Sequence, residues 1–295
     1  MLFFKPPAGR GPEVNNLIGV ELLRLRYSVQ AKALVWVGLI LTGIQAALLI
    51  LAEPLTRRAF GPGNGTSEAL FRFLASMGMD GGGTSSPLLQ AAVLEVTGGV
   101  GSGVGFCAVL AVLAGALIVS TGFATGAAAE DLLIQPNRTA LFGARLGALA
   151  LAGGATAVVA WVIRLAFLLV SFAITGGGWR ISAGFLICQL IGGALSLAVL
   201  AALGGALGFL IRSPVLVALV VLVWAFVELV IRAGDLVLGL YLSMTQFLPL
   251  GLPAMAWGGP WLVLDYAMQL MSVLLVQTVL ISAVALTFFK RRDIT

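Results

Sequence analysis

The stretch that decides the fold is Ala183–Ile211, AGFLICQLIGGALSLAVLAALGGALGFLI, which has no charged residue and stops at Arg212-Ser213-Pro214. A helix needs about 20 consecutive apolar residues to cross the hydrocarbon core of a bilayer. Five similar stretches occur, at about 33–52, 99–122, 147–174, 215–231 and 264–289. The sequence therefore predicts an all-α integral membrane protein with six transmembrane helices.

The composition supports this class. Of the 295 residues, 60% are hydrophobic and only 10% are charged, whereas soluble domains carry about 25% charged residues. A cytoplasmic enzyme, a disordered chain and a disulfide-rich module are therefore excluded. The two cysteines, Cys107 and Cys188, lie inside apolar stretches and are expected to be buried and free.

Several kinds of chemistry are absent from the sequence. There is no histidine, which removes the usual zinc ligand and the usual general base near neutral pH. The lysines are Lys5, Lys32 and Lys290, and none follows the glycine-rich loop that cradles nucleotide phosphates. We therefore expect no enzymatic activity, no catalytic or metal-binding residues and no cofactor in this chain.

The remaining segments predict the layout around the spans. Residues 1–32 form a polar lead and an amphipathic helix, which either lies in the headgroup plane or packs on the protein's own surface. Residues 33–295 form the six-span domain, with extracytoplasmic segments at 53–98 and 232–263. A helix is expected near 68–77, and another starts at Ser86-Pro87 and breaks at Gly98-Gly99. Prolines interrupt 233–262, which favours short re-entrant helices over a plain extracytoplasmic loop.

Charge and glycine patterns add two further predictions. Most of the 17 Lys and Arg residues fall on one side if the N-terminus is inside, so both termini are expected to be cytoplasmic, in the inner or plasma membrane. Three glycine pairs have the small-xxx-small spacing that allows close helix packing. They are Gly101/Gly105, Gly143/Gly147 and Gly204/Gly208.

The segment at about 124–142 joins the second and third spans and is the most informative cytoplasmic part. Pro136 interrupts the helix and Asn137 favours a turn after it. We expect a short kinked helix that exposes two acids and an arginine to a soluble partner, although an ordinary connection is the alternative. Its candidate contact residues are Glu130, Asp131, Leu132, Leu133, Gln135, Pro136, Asn137 and Arg138.

Here the chain resembles the type-2 exporter permeases of ATP-binding cassette (ABC) transporters. These permeases place leucines before P-x-R in this loop and a basic residue about seven positions later. The matching residues are Leu132, Leu133, Pro136, Arg138 and Arg145. The opening Glu21-Leu22-Leu23-Arg24-Leu25-Arg26 and the closing Lys290-Arg291-Arg292-Asp293-Ile294 also fit the family. Where the family has an earlier glutamate, this chain has Phe123, and Glu130 or Asp131 is expected to substitute.

The resemblance implies a transmembrane subunit that moves an amphipathic or hydrophobic substrate (a lipid, glycolipid, peptide or drug-like metabolite) out of the cytoplasm. It would pair with a second permease copy or a sister permease and with two ATP-binding subunits, which bind ATP and magnesium. Segment 124–142 would be the coupling loop. Membrane lipid is an expected contact and nucleic acid is not. The alternative is a non-transporting membrane sensor, or an immunity protein that binds a lipid, peptide or protein.

Six residues within or near the spans are candidates for transport roles. Charges at membrane depth are costly and often functional, which draws attention to Arg164, Glu228 and Arg232. They either form a gate, with Glu228 paired to Arg164 or Arg232, or a structural pair near the interface. Because the resemblance implies that the second and fifth spans line the path, Trp224, Phe226 and Phe247 are candidate substrate contacts. The alternative is that these aromatic side chains are interfacial anchors.

Overall fold

The computed structural model describes residues 14–60, 85–99, 103–134, 136–238, 245, 247–257 and 264–291. These residues form ten helices. In chain order they are α1 (Val14–Tyr27), α2 (Val29–Phe60), α3 (Pro87–Leu94), α4 (Phe106–Ala124), α5 (Ala127–Ile134), α6 (Arg138–Thr175), α7 (Ala183–Ile211), α8 (Pro214–Leu238), α9 (Leu252–Trp257) and α10 (Leu264–Arg291). The helix expected near 68–77 lies outside the described residues.

Six of these helices are long and apolar enough to cross a membrane. They are α2, α4, α6, α7, α8 and α10, with mean hydropathies between 2.2 and 2.8. The predicted all-α fold with six spans is confirmed, and the chain is a multi-pass membrane protein. Helices α2 and α8 are the least covered by the rest of the chain, with 17% of each span buried, whereas 61% of α7 is buried.

The third span is longer than predicted because its cap lies further upstream. Asn137 accepts hydrogen bonds from the backbone amides of Thr139 and Ala140, which is a typical N-cap. Helix α6 therefore starts at Arg138 rather than near 147 and has 38 residues, about 57 Å at 1.5 Å per residue. Its first turns must project beyond a hydrocarbon core of about 30 Å.

The helix predicted to start at Ser86-Pro87 is confirmed. The Ser86 side chain accepts a hydrogen bond from the Leu89 amide, and Pro87 occupies the first turn of α3. The helix ends at Leu94, before the expected break at Gly98-Gly99, and the second span starts only at Phe106. Gly98 has φ 82°, a left-handed conformation that glycine adopts without penalty.

Helix α7 is the centre of the bundle and packs against α4, α6 and α10. A Cβ atom on Gly204 would overlap the carbonyl oxygen of Val112, and one on Gly208 would lie 2.6 Å from that of Ala116. Helices α4 and α7 are therefore in backbone contact, as small residues permit in membrane proteins. The packing prediction is confirmed for Gly204 and Gly208.

The other two glycine pairs with this four-residue spacing do not bring two helices into backbone contact in the described part of the chain. Among the described residues, none comes within 4 Å of a Cβ built on Gly143, and one built on Gly147 meets only the flexible side chain of Ile18. The packing prediction is therefore wrong for this pair. Gly105 faces the backbone of Thr97 instead of a neighbouring helix, and Gly101 lies outside the described residues.

The broken segment before the last span folds into the bundle. Helix α9 has six residues, and its Leu252 and Trp257 side chains are buried. Trp257 donates a hydrogen bond from Nε1 to Ser196 Oγ on α7 at 3.1 Å, and its ring covers Gly192. A short helix in this region was predicted, and it packs against α7 and α10.

Candidate functional site

Four charged side chains form an ion-pair network at the end of the bundle that carries α1 and α5. We call Glu21, Arg24, Asp131 and Arg145 the anchoring cluster. Arg24 donates to both carboxylate oxygens of Asp131, at 2.7 and 2.6 Å. Arg145 on α6 donates to Asp131 and, at 3.2 Å, to Glu21. Arg24 Nη1 also lies 3.5 Å from Glu21 Oε1. The network therefore joins α1, α5 and α6.

The cluster has equal numbers of positive and negative charges and is largely buried. Asp131 and Glu21 are each 9% exposed and Arg145 is 7% exposed, although the Arg24 side chain is 47% exposed. The hydrogen bond to Asp131 raises the pKa of Arg24 above its usual value. The expectation that both acids of the loop face a partner is therefore wrong for Asp131, because its carboxylate is held inside the protein by two arginines.

The position of α1 follows from this cluster. The helix packs against α6 along one face, while Val20, Leu23 and Tyr27 remain exposed by 60%, 54% and 73%. An amphipathic helix with an exposed apolar face beside a span is suited to the headgroup region. The two alternatives predicted for α1, a position in the headgroup plane and packing on the protein's own surface, are therefore compatible. One face of the helix packs on the protein and the other is open.

Arg138 is also an internal contact. It is the first residue of α6, and its Nη1 donates to the carbonyl oxygens of Phe289 and Lys290 at 3.1 Å each. These carbonyls belong to the last turn of α10, where basic side chains are favourable because the helix dipole is negative there. Arg138 therefore fastens the loop to the end of α10, whereas the sequence predicted an exposed contact residue.

The exposed part of the loop is smaller than predicted. Glu130, Leu133, Pro136 and Asn137 are exposed, and we call them the loop tip. Leu133 is 86% exposed. Leu132 instead packs beneath the helix against the core cluster that contains Phe209 and Phe289. Gln135 lies outside the described residues.

Glu228 and Arg232 form a buried pair on α8. Arg232 Nε donates to Glu228 Oε1 at 3.1 Å. The amides of Leu250 and Gly251 also donate to the Glu228 carboxylate, at 3.2 and 2.7 Å. Arg232 donates to backbone carbonyls of the same segment, including that of Leu248 at 2.9 Å. The pair therefore holds the segment before α9 against the fifth span.

Arg164 belongs to a different site. It is fully buried in α6 and donates to the carbonyl of Val93 at 2.9 Å and to Gln45 Oε1 on α2. Gln45 in turn donates to the carbonyl of Gly98 at 2.8 Å. The predicted Glu228–Arg232 pair is confirmed, but the three proposed gate residues do not meet, since Arg164 is bonded to the last turn of α3 and to Gln45 on α2.

Glu95, which sequence reasoning missed, completes this second site. Its carboxylate accepts from the amides of Thr97 and Gly98 at 2.8 Å and from that of Gly99 at 3.1 Å. The side chain is 1% exposed. A signal was present, because Glu95 is the only charged residue between Asp80 and Glu130. It closes the turn that separates α3 from the second span.

The three candidate path residues do not converge. Phe226 and Phe247 are 65% and 60% exposed on the outside of the bundle, and Trp224 packs partly against the core. A cavity of about 400 Å³ lies instead between α1, α2, α4, α6 and α7, and none of the three lines it. Within one chain, they do not form a path.

Comparison of the sequence with protein-family models and with curated proteins finds no match.

Proposed function

We propose that this chain is the membrane-spanning permease subunit of an ATP-driven exporter of the ABC type. It would move an amphipathic or hydrophobic substrate out of the cytoplasm, while partner subunits bind and hydrolyse ATP. The observation that carries the proposal is the way α5 is held. Its Asp131 is ion-paired to α1 and α6, the following Arg138 is bonded to α10, and its exposed end presents Leu133.

This geometry suits the transfer of movement from a soluble partner into the membrane. A connecting loop transmits force only if it is rigidly joined to the helices that must move. The anchoring cluster supplies such joints through charge-assisted hydrogen bonds, which are stronger than neutral ones. The loop tip supplies an apolar contact, Leu133, beside the charged Glu130. A partner groove that buries a leucine and meets an acid would fit this surface.

The exposed faces of the first and fifth spans support a permease pair. Only 17% of each span is buried within the chain, and large apolar side chains such as Leu222, Val223 and Phe226 are exposed on α8. A second copy or a sister permease would cover such faces, and the substrate path would then form between the two subunits. This accounts for the dispersal of Trp224, Phe226 and Phe247 within one chain.

The orientation is part of the proposal. Exposed basic residues lie at the end of the bundle that carries the loop tip, among them Arg26, Lys32, Lys290 and Arg291. Segments rich in lysine and arginine remain cytoplasmic. We therefore place the loop and both termini in the cytoplasm, beneath the inner or plasma membrane, where ATP-binding subunits have access to ATP and magnesium.

The test is to recover the tagged chain from its native membranes in mild detergent and to weigh the intact complex. The expected result is two permease chains with two copies of a protein that contains a phosphate-binding loop. Recovery of the chain alone, or with a partner that lacks a nucleotide site, would overturn the proposal in favour of a membrane sensor or immunity protein.

The loop tip has its own test in the same experiment. Leu133→Ser should weaken partner binding about tenfold, because a buried apolar anchor at an interface contributes roughly 1–2 kcal/mol or more. Val29→Ser is the matched control, since Val29 is nearly as exposed as Leu133, at 80% against 86%, but lies outside the loop. Equal recovery of the partner with both variants would contradict docking through the loop tip.

A further inference from the structure

The cavity beside α1 is apolar along its length and basic at one end. Its volume is about 400 Å³, within the range of about 300–1,000 Å³ that is typical of ligand sites. Leu25, Leu110 and Ala152 are among the apolar side chains of its wall. Thr42 and Cys107 also line it, at the ends of the lining ranges on α2 and α4 that are furthest from α1, and are hydrogen-bonded to each other at 3.2 Å. Their polar atoms are therefore already satisfied.

The depth of the cavity corresponds to one leaflet of a bilayer. The lining residues extend over 31–42 on α2, 107–118 on α4 and 149–160 on α6. Each range advances eleven residues, which is about 16 Å at 1.5 Å per residue. Half of a hydrocarbon core of about 30 Å is about 15 Å. The space is thus as deep as one extended acyl chain that starts at the level of α1.

Two cations line the mouth of this cavity. Arg26 and Lys32 are both exposed and contribute to its lining. Neither side chain forms an ion pair or hydrogen bond within the described part of the chain. The nearby acids Glu21 and Asp131 are already paired with Arg24 and Arg145. Among the described residues, therefore, no carboxylate pairs with either of these two positive charges at the mouth.

We propose that this cavity binds an anionic phospholipid from the leaflet that contacts α1. One acyl chain occupies the space between α2, α4 and α6, and the phosphate group lies between Arg26 and Lys32. An apolar interior of one-leaflet depth suits a single acyl chain, and two cations at its mouth favour an anionic headgroup. Because α1 forms part of the wall, the bound lipid fastens α1 to the spans, whether or not the chain takes part in transport.

The test uses the purified full-length chain in detergent, titrated with dioleoyl phosphatidylglycerol or dioleoyl phosphatidylcholine and followed by native mass spectrometry. The wild-type protein is expected to bind the anionic lipid in preference to the zwitterionic one. Each basic residue contributes roughly a factor of five to the binding of anionic lipid. The double variant Arg26→Gln/Lys32→Gln should therefore lose about 25-fold in phosphatidylglycerol affinity and lose its preference for phosphatidylglycerol over phosphatidylcholine.

The matched control removes the same charge elsewhere. Lys290 and Arg291 are exposed and do not line the cavity. They lie at the same end of the bundle as α5, as the bond from Arg138 to the last turn of α10 shows. Lys290→Gln/Arg291→Gln should leave the lipid preference intact. Equal losses in the two double variants, or equal binding of both lipids by the wild type, would overturn the proposal.

A second variant tests the acyl-chain part alone and decides the question if the charge variant fails to fold. Gly38 lines the cavity, and a Cβ there would meet only Leu110, at 3.8 Å. Gly38→Leu should fill the space and abolish preferential phosphatidylglycerol binding. Gly143→Leu places the same side chain on an open helix face away from the cavity and should have no effect. Unchanged preferential binding by Gly38→Leu would overturn the proposal.

Discussion

Replacement of Asp131 by asparagine tests the anchoring cluster with little change of shape. The substitution removes the negative charge that accepts two hydrogen bonds from Arg24 and one from Arg145. Arg145 then remains buried, with its side chain 8% exposed, and among the described residues it keeps Glu21, at 3.2 Å, as its one carboxylate partner. The α5 helix loses its ionic links to α1 and α6.

The expected cost follows from the burial of each partner. Removing one member of a buried ion pair typically costs about 3–5 kcal/mol, because the other charge is left uncompensated. Because Arg145 retains Glu21 as a partner, the destabilisation that comes from the Asp131–Arg145 pair falls at the lower end of that range or below. The Arg24 side chain is 47% exposed, so its share is roughly 1 kcal/mol at most. We expect Asp131→Asn to destabilise the protein by about 3 kcal/mol.

Equilibrium unfolding in mixed detergent micelles measures this value, and a double-mutant cycle with Arg145→Gln isolates the pairwise contribution. Glu130→Gln is the matched control: Glu130 is the neighbouring acid and is exposed, so its stability change should stay within about 0.5 kcal/mol. If Asp131→Asn is as mild as Glu130→Gln, or if the cycle shows no coupling to Arg145, the reasoning about the anchoring cluster is refuted.

Two further predictions concern the spans. Glu228→Gln should destabilise the protein by about 3 kcal/mol, because it removes the buried negative charge that accepts from Arg232 and from the amides of Leu250 and Gly251. Equilibrium unfolding measures this change, and normal transport by the folded variant would contradict a gating role. Gly204→Ala should destabilise the α4–α7 contact by about 1–3 kcal/mol, because its Cβ would overlap Val112. Gly143→Ala should be neutral or stabilise the protein by up to about 1 kcal/mol, because its Cβ has space and alanine favours a helix more than glycine does. Thermal unfolding of the two alanine variants in one detergent compares them, and equal changes would count against backbone contact at Gly204.

The six spans were predictable because lipid imposes a strong and local requirement. A spanning helix must satisfy its backbone polar groups internally and must be apolar for about 20 residues. This condition is visible in Ala183–Ile211 itself, and both ends of α7 fall where they were predicted. The start of α6 was not predicted, because the hydropathy of the span does not reveal the Asn137 cap, which lies ten residues before the apolar stretch that starts near 147.

The candidate site was predicted only in part because its contacts are distant along the chain. Asp131 and Glu130 are adjacent acids, yet only Asp131 is buried, because it pairs with Arg24. That partner lies 107 residues away in the sequence, so no local pattern indicates the pairing. Arg138 meets a carbonyl 151 residues away. Local pattern identified the loop, and it did not identify which side chains face inward.

Glycine spacing shows the same limit. Gly204 and Gly208 touch the backbone of α4, whereas Gly143 and Gly147 share their four-residue spacing and face open space or a flexible side chain. The spacing permits a close approach between helices. Whether another helix approaches depends on tertiary packing, which one sequence does not encode locally.

The bond from Arg138 to the end of α10 has a consequence for biosynthesis. Its two acceptors are the carbonyls of Phe289 and Lys290, 151 and 152 residues later in the chain. At about 5–20 residues per second, a ribosome needs about 8 to 30 seconds to synthesise that interval. During this time α6 already exists while its connection to the last span does not. The junction between the loop and the bundle is therefore completed only when the last span has been made, so that a truncated chain exposes an unfinished loop.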